Sequence, residues 1–118
     1  MDPEIPGAVE LMTDAPVFVW PVRVYYEDTD AGGIVYYANY LKFMERARSE
    51  WLRSRGVDLA VLADNENVMF VVRSANLEFL RPARLSDNLE VSVQVAHQRP
   101  ASVELCQAIT RSGEALCT

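Results

Sequence analysis

The chain has 118 residues, half of them hydrophobic, and a formal net charge of −6. That length suits one domain around a single core, and the acidic balance argues against a nucleic-acid binder, since phosphate backbones reward clustered Lys and Arg. Cys106 and Cys117, with no CxxC pair and one histidine in the chain, supply too few ligands for a zinc site or a disulfide framework. No apolar run is long enough to span a bilayer. The acidic, proline-rich N-terminus also lacks the basic segment and apolar run of a secretory signal, so the expected setting is the reducing cytoplasm.

Residues 1–16, with Pro3, Pro6 and Pro16, read as a flexible arm before a single domain at 17–118. Val22, Val24 and Tyr26 alternate with Arg23, Tyr25 and Glu27, the period of a strand. Pro21, which cannot donate to a ladder, marks its beginning or a bulge before it. Gly32-Gly33 breaks the strand. A helix should begin between Tyr37 and Tyr40 and run to about Arg55. Tyr40, Met44, Ala47 and Trp51 form its apolar stripe, widened by Leu41 and Leu52. Lys42, Glu45, Arg46, Arg48, Glu50 and Arg53 occupy the other face, and Gly56 stands where a C′ glycine belongs.

Val57 to Asn67 suggests a helical turn and a loop. Val68 to Arg81 is extended, but its apolar parity changes between Val72 and Leu77, which means a bulge within Arg73–Asn76 or a segment buried on both sides. Leu89, Val91, Val93 and Val95 alternate strictly with polar neighbours and Ala96. Arg99-Pro100 turns the chain into Val103–Ile109, and Gly113 turns it again into Glu114–Thr118. Short connections make hairpins, so the sheet should be antiparallel. The expected fold is α+β, with one long helix wrapped by a curved antiparallel sheet. A single helix leaves sheet edges uncovered, and a homodimer or larger assembly is the expected remedy.

Chemistry concentrates in Tyr25–Arg48, which holds all five tyrosines and the carboxylates Glu27, Asp28 and Asp30. On its own such a cluster is more simply a turn cap. A carboxylate just before a helix N-terminus is nevertheless suited to thioester hydrolysis. With a pKa near ~4 it is ionised at neutral pH and can attack or activate water without a base of its own. N–H groups at the helix start can meet the developing oxyanion. Other candidates are weaker. His97 lies on the parity of Val91–Val95 and suits a packed or turn position. Cys106 suits a small core or surface thiol, and Glu45 suits a solvated pair with Arg46 or Arg48. Arg73, Arg81, Arg84 and Arg99 could bind phosphates or be ordinary surface charge. Ser74 and Asn76 could line a site at the bulge.

The run from Val24 through Arg48, VYYEDTDAGGIVYYANYLKFMERAR, resembles the signature of the hotdog-fold acyl-CoA thioesterases. It is similar to those associated with the Tol-Pal cluster and related to 4-hydroxybenzoyl-CoA thioesterase, and the similarity resumes in Asn76–Asp87. The resemblance implies that Asp30 is the catalytic carboxylate, as nucleophile or general base, and that the Tyr37 backbone N–H polarises the thioester carbonyl. It implies that Gly32 and Gly33 let the substrate approach, with no cofactor and no metal. Tyr37 matches the tyrosine of 4-hydroxybenzoyl-CoA thioesterase, where many Tol-Pal-associated members carry histidine. The activity implied is hydrolysis of a small or medium acyl-CoA by a homodimer or homotetramer. A hotdog domain that binds acyl-CoA or acyl carrier protein without hydrolysis is the alternative, and a dehydratase of the same fold, which would rely on a histidine, comes third. Relatives of this kind continue with a further strand, so the final strand is expected to be cut short and the domain to be less stable than longer relatives.

Overall fold

The computed structural model describes residues 17–66 and 70–118. The expected arm at 1–16 and Val68 lie outside these residues. Strand β1 spans Phe18–Arg23. Helix α1 spans Ala38–Ser54, followed by the short α2 at Leu59–Val61 and a wider turn at Leu62–Glu66. Strands β2 (Asn88–Arg99), β3 (Ser102–Cys106), β4 (Ile109–Arg111) and β5 (Glu114–Cys117) complete the order. Every ladder is antiparallel, in the order β1-β2-β4-β5, with β3 also paired to β2. One long helix lies on a curved antiparallel sheet, as the sequence pattern predicts.

The long β2 is the centre of this sheet. Leu89, Val91 and Val93 point to one face and are buried. Opposite them α1 buries Tyr40, Phe43, Met44, Ala47, Trp51 and Leu52, and Ile109 and Leu116 fill the floor on the β4–β5 side. Removing each large side chain of this set from water contributes roughly 1.5–3 kcal/mol. Leu41, expected in the stripe, is 45% exposed, while Phe43 is buried. The helix is therefore rotated toward Phe43, which sits three residues from Tyr40 on the sheet side.

Several local expectations are corrected. Pro21 lies inside β1 opposite Glu90. It is tolerated there because β1 pairs on one side alone among the described residues, so the missing N–H breaks no second ladder. The strand ends at Arg23, not Glu27, and Tyr26–Asp28 winds into a 3₁₀ turn that leaves Tyr26 81% exposed. Asp28 causes this turn, since its Oδ2 accepts the Tyr25 N–H at 2.8 Å. His97 follows a register shift between Val95 and His97 and is exposed rather than packed. Glu45 accepts from Ser49 Oγ at 3.0 Å, and Arg48 turns inward to donate to Gln107 Oε1 at 3.0 Å while the Glu45 charge still acts on it, so Arg48 of the expected pair is half-buried rather than solvated. The return strand breaks at Gln107–Ala108 into β3 and β4, and Gln107 Nε2 donates to the Met44 carbonyl.

Helix α1 ends as Gly56 foretells. Gly56, at φ +81°, donates to the Arg53 carbonyl and Val57 to the Leu52 carbonyl, the two bonds of a Schellman motif. Residues 70–77 form no strand, so the parity change has no paired strand to bulge against. Pairing resumes where Phe79 bridges Cys117 and Glu78 exchanges bonds with Thr118.

The loop between this segment and β2 is tied down by charge. Asp87 Oδ2 accepts from Arg111 Nη1 at 2.7 Å and from the Arg84 N–H at 2.8 Å, while Arg111 Nη2 reaches Glu114 Oε1 at 3.1 Å. Burial alone would raise the Asp87 carboxyl, but the Arg84 N–H and the Arg111 guanidinium together hold it below its ordinary value. A depressed folded-state pKa means stability that is complete above the unfolded value and lost as pH falls through the folded one. Asp87→Asn is therefore expected to cost about 1 kcal/mol at pH 7. The cost should shrink as pH falls through the lowered folded-state pKa and the parent carboxyl takes up its proton; urea midpoints measured over an acid pH series check this.

Candidate active site

Between β1 and α1 the chain folds into a small hairpin. Thr29 bridges Val35, the Asp30 N–H donates to the Ile34 carbonyl at 2.9 Å, and the Gly33 N–H donates to the Asp30 carbonyl at 3.1 Å. This is a three-residue hairpin loop closed by a residue in the left-handed region. Gly33 occupies that position at φ +77°. Asp30 stands at the tip, with one carboxylate oxygen, Oδ1, accepting the Gly32 N–H at 2.8 Å. A Cβ on Gly32 would come within 3.2 Å of that oxygen. Gly32 thus leaves room for the carboxylate to rest on the loop backbone, and Gly33 lets the loop close.

The hairpin is docked on both sides. Its returning arm pairs outward, with Ile34 bridging Arg84 and the Val35 N–H donating to the Ala83 carbonyl at 2.8 Å. The Ala83 N–H in turn donates to the buried Tyr40 hydroxyl at 2.9 Å, which ties the same loop to α1. Toward the helix, the Asp28 carbonyl accepts both the Tyr36 N–H at 3.1 Å and Asn39 Nδ2 at 2.8 Å. The three carboxylates therefore do not converge. Asp28 closes the preceding turn, Asp30 sits at the tip, and Glu27 is exposed.

Tyr37 follows the hairpin directly and already has helical dihedrals, φ −56° and ψ −31°. Its N–H has no acceptor among the described residues, whereas Asn39 donates to the Tyr36 carbonyl. The first turn of a helix leaves such donors free and carries the positive end of its dipole. Around this donor stands an aromatic wall. Tyr37 contacts Tyr36 at a ring separation of 4.8 Å and meets Phe79 edge-on at 5.9 Å, and Tyr40 lies 5.7 Å from Phe79. Tyr36, Tyr37 and Phe79 are each about half exposed or more.

Of the sequence candidates, the fold brings Asp30, Gly32, Gly33 and Tyr37 into one continuous element. Ser74 and Asn76 are exposed in the 70–77 segment and make no hydrogen bond to the hairpin among the described residues. Arg73, Arg84 and Arg99 are exposed, and Arg81 lies 3.5 Å from Glu114. Cys106 is exposed, while Cys117 is buried and its thiol is pushed up to about 11 by that burial. Phe79 and Asn39 were not singled out from sequence. Phe79 comes from a distant segment, and the signal for Asn39 was a poor helix former placed in the first helical turn.

A thioesterase superfamily model matches residues 32–118. The chain belongs to that superfamily. It is 47% identical over 100 residues to the Escherichia coli acyl-CoA thioester hydrolase YbgC, covering 85% of this chain and 74% of that relative. Among solved structures, a probable thioesterase from Bartonella henselae superposes with a TM-score of 0.81 at 35% identity, covering 86% of this chain and 85% of the other. The 4-hydroxybenzoyl-CoA thioesterase from Pseudomonas sp. strain CBS-3 shares the fold, with a TM-score of 0.80 at 19% identity, over 87% of this chain and 79% of its own. This thioesterase has the hotdog fold and is a thioester hydrolase.

The loop glycine gives a test of the hairpin. Gly33→Ala must hold a Cβ in the left-handed region, at a cost of about 1–2 kcal/mol. The hairpin should loosen, so both the thermal midpoint and thioester turnover are expected to fall.

Proposed function

We propose that the chain hydrolyses acyl-CoA thioesters, with the Asp30 carboxylate as nucleophile or general base and the Tyr37 backbone N–H as oxyanion donor. The observation that carries this is the continuity of the element: a hairpin carrying the Asp30 carboxylate runs straight into a helix start whose Tyr37 N–H has no acceptor among the described residues. The E. coli relative, whose name specifies an acyl-CoA thioester, supports the substrate class.

The chemistry asks for little else. A thiolate is a good leaving group, so the thioester carbonyl needs an ionised oxygen on one side and a donor on the other. Asp30 Oδ1 is held by the Gly32 N–H, which orients the carboxylate. Attack by Asp30 would form a mixed anhydride and expel the CoA thiolate, and water would then release the acid. As a base, Asp30 would instead take a proton from the attacking water. In either route negative charge develops on the carbonyl oxygen, where one preorganised donor is worth about 100- to 1,000-fold in turnover. Gly32 and Gly33 keep the loop backbone low enough for the thioester to approach. Phe79 and Tyr37 offer an apolar wall to the acyl group.

We further infer a homo-oligomer. Residues 70–77 belong to no ladder among the described residues, and within them Val71 and Val72 are 77% and 63% exposed. Exposed apolar side chains on such a segment are a surface that a second copy can cover.

Asp30→Asn keeps the side-chain shape and removes the charge. Turnover should fall by more than about 100-fold across a panel of aliphatic and aromatic acyl-CoAs and one acyl carrier protein thioester, read by thiol release. A rate near the parental one would overturn the assignment. Sedimentation equilibrium should return a dimer or tetramer mass, and a monomer at micromolar concentration would contradict the assembly.

A further inference from the structure

The side chain of Asn39 has no role in helix formation that would account for it. It lies two residues into the helix after Tyr37, is half-buried, and its residue type is a modest helix former. Its amide leaves the helix and donates to the Asp28 backbone carbonyl at 2.8 Å. That carbonyl is also the acceptor of the Tyr36 N–H, at 3.1 Å. Both lone pairs of one oxygen are therefore used to hold the hairpin against the helix start.

The placement has a simple consequence. Asp28 is two residues before Asp30, and Asn39 is two residues after Tyr37. A single side-chain bond thus spans the two halves of the site from their outer ends. Within the hairpin, the Thr29–Val35 bridge and the Asp30–Ile34 bond fix the tip relative to its own arms. They do not fix the tip relative to the helix axis. The hairpin reaches α1 through the Tyr36–Asp28 bond and, by way of the neighbouring loop, through Val35, Ala83 and the Tyr40 hydroxyl. The Asn39 amide is the side-chain tie that runs from the helix directly to the outgoing arm, and without it that arm has more freedom to shift. A carboxylate displaced by about 1 Å from its attack position can lose about 100-fold in rate.

We propose that Asn39 is a positioning residue for thioester hydrolysis: its amide sets the distance between the Asp30 carboxylate and the Tyr37 N–H without touching substrate. This rests on the assignment of Asp30 and Tyr37 given above. Removing the donor should then lower kcat and leave KM nearly unchanged, because the substrate contacts remain. The effect should also vanish when the carboxylate it positions is already gone, since residues acting as one unit are non-additive.

The test uses Asn39→Leu and Asn39→Asp, both close in size to the native side chain and both without the donor at neutral pH. Each is made in the parent and in the Asp30→Asn background, with acyl-CoA turnover measured well below the thermal midpoint and the residual rates taken under single-turnover conditions with excess enzyme. The expected result is a loss of about 100-fold in kcat for both variants, KM within about threefold of the parent, and no further loss when added to Asp30→Asn. Parental kcat in either variant would overturn the proposal. So would an equal fold-loss in the Asp30→Asn background, or a loss that merely follows the unfolded fraction in both variants. Failure of the underlying assignment is distinguishable, because Asp30→Asn alone would then turn over near the parental rate.

Discussion

Helix α1 can bury its apolar stripe in one place, against the face of β2 that carries Leu89, Val91 and Val93. That packing fixes where the helix starts, and the rest of the site is hung from the start. β1 lies beside β2 on the sheet and ends at Arg23, so residues 24–37 must carry the chain from the sheet edge to the helix. The hairpin is the way this short span turns back. Its docking against Ala83 and Arg84 and the Tyr40 hydroxyl bond to Ala83 lock it between the sheet loop and the helix. The Asp87–Arg111–Glu114 cluster holds that same loop from the far side.

Within the hairpin, the proposed chemistry and the folding use the same groups. Asp28 serves as a cap through its carboxylate and as an acceptor of two donors through its carbonyl. Asp30 closes a turn of its own through Gly32 and still presents its carboxylate at the tip. The turn-cap and catalytic interpretations of this acidic cluster are thus not exclusive. An oxygen held by a backbone N–H is oriented, and orientation is what a carboxylate attacking a thioester requires. Nearby acids are kept apart by backbone geometry rather than by neutralising partners.

Much of the architecture was legible in one dimension because it rests on periodicity. The 3.6-residue stripe of α1, the alternation of Leu89–Val95 and the turn residues at Gly56 and Gly113 each report a local backbone preference. The misplacements came where a specific side-chain contact, local or distant, overrides that preference. Tyr26 continues the parity of Val22 and Val24, yet the Asp28 carboxylate pulls it out of the strand. Leu41 and Phe43 are equally apolar, and the slope of the helix on β2 decides which is buried. Arg48 looked like a solvated charge until Gln107, at a break in the return strand, drew it inward.

The sequence by itself determined the fold class, the helix and its end, and the residue types of the site, because a carboxylate, two glycines and a helix start follow one another along the backbone. The tertiary structure decided what sequence spacing cannot encode. It brought Phe79 against Tyr37 and Tyr40, placed Ala83 and Arg84 beside the hairpin, and directed the Asn39 amide to the Asp28 carbonyl. Each of these depends on the path of the chain through the whole sheet. The proposed catalytic pair was legible because it is local. The framework that sets its spacing appears only when the helix and the sheet are packed together.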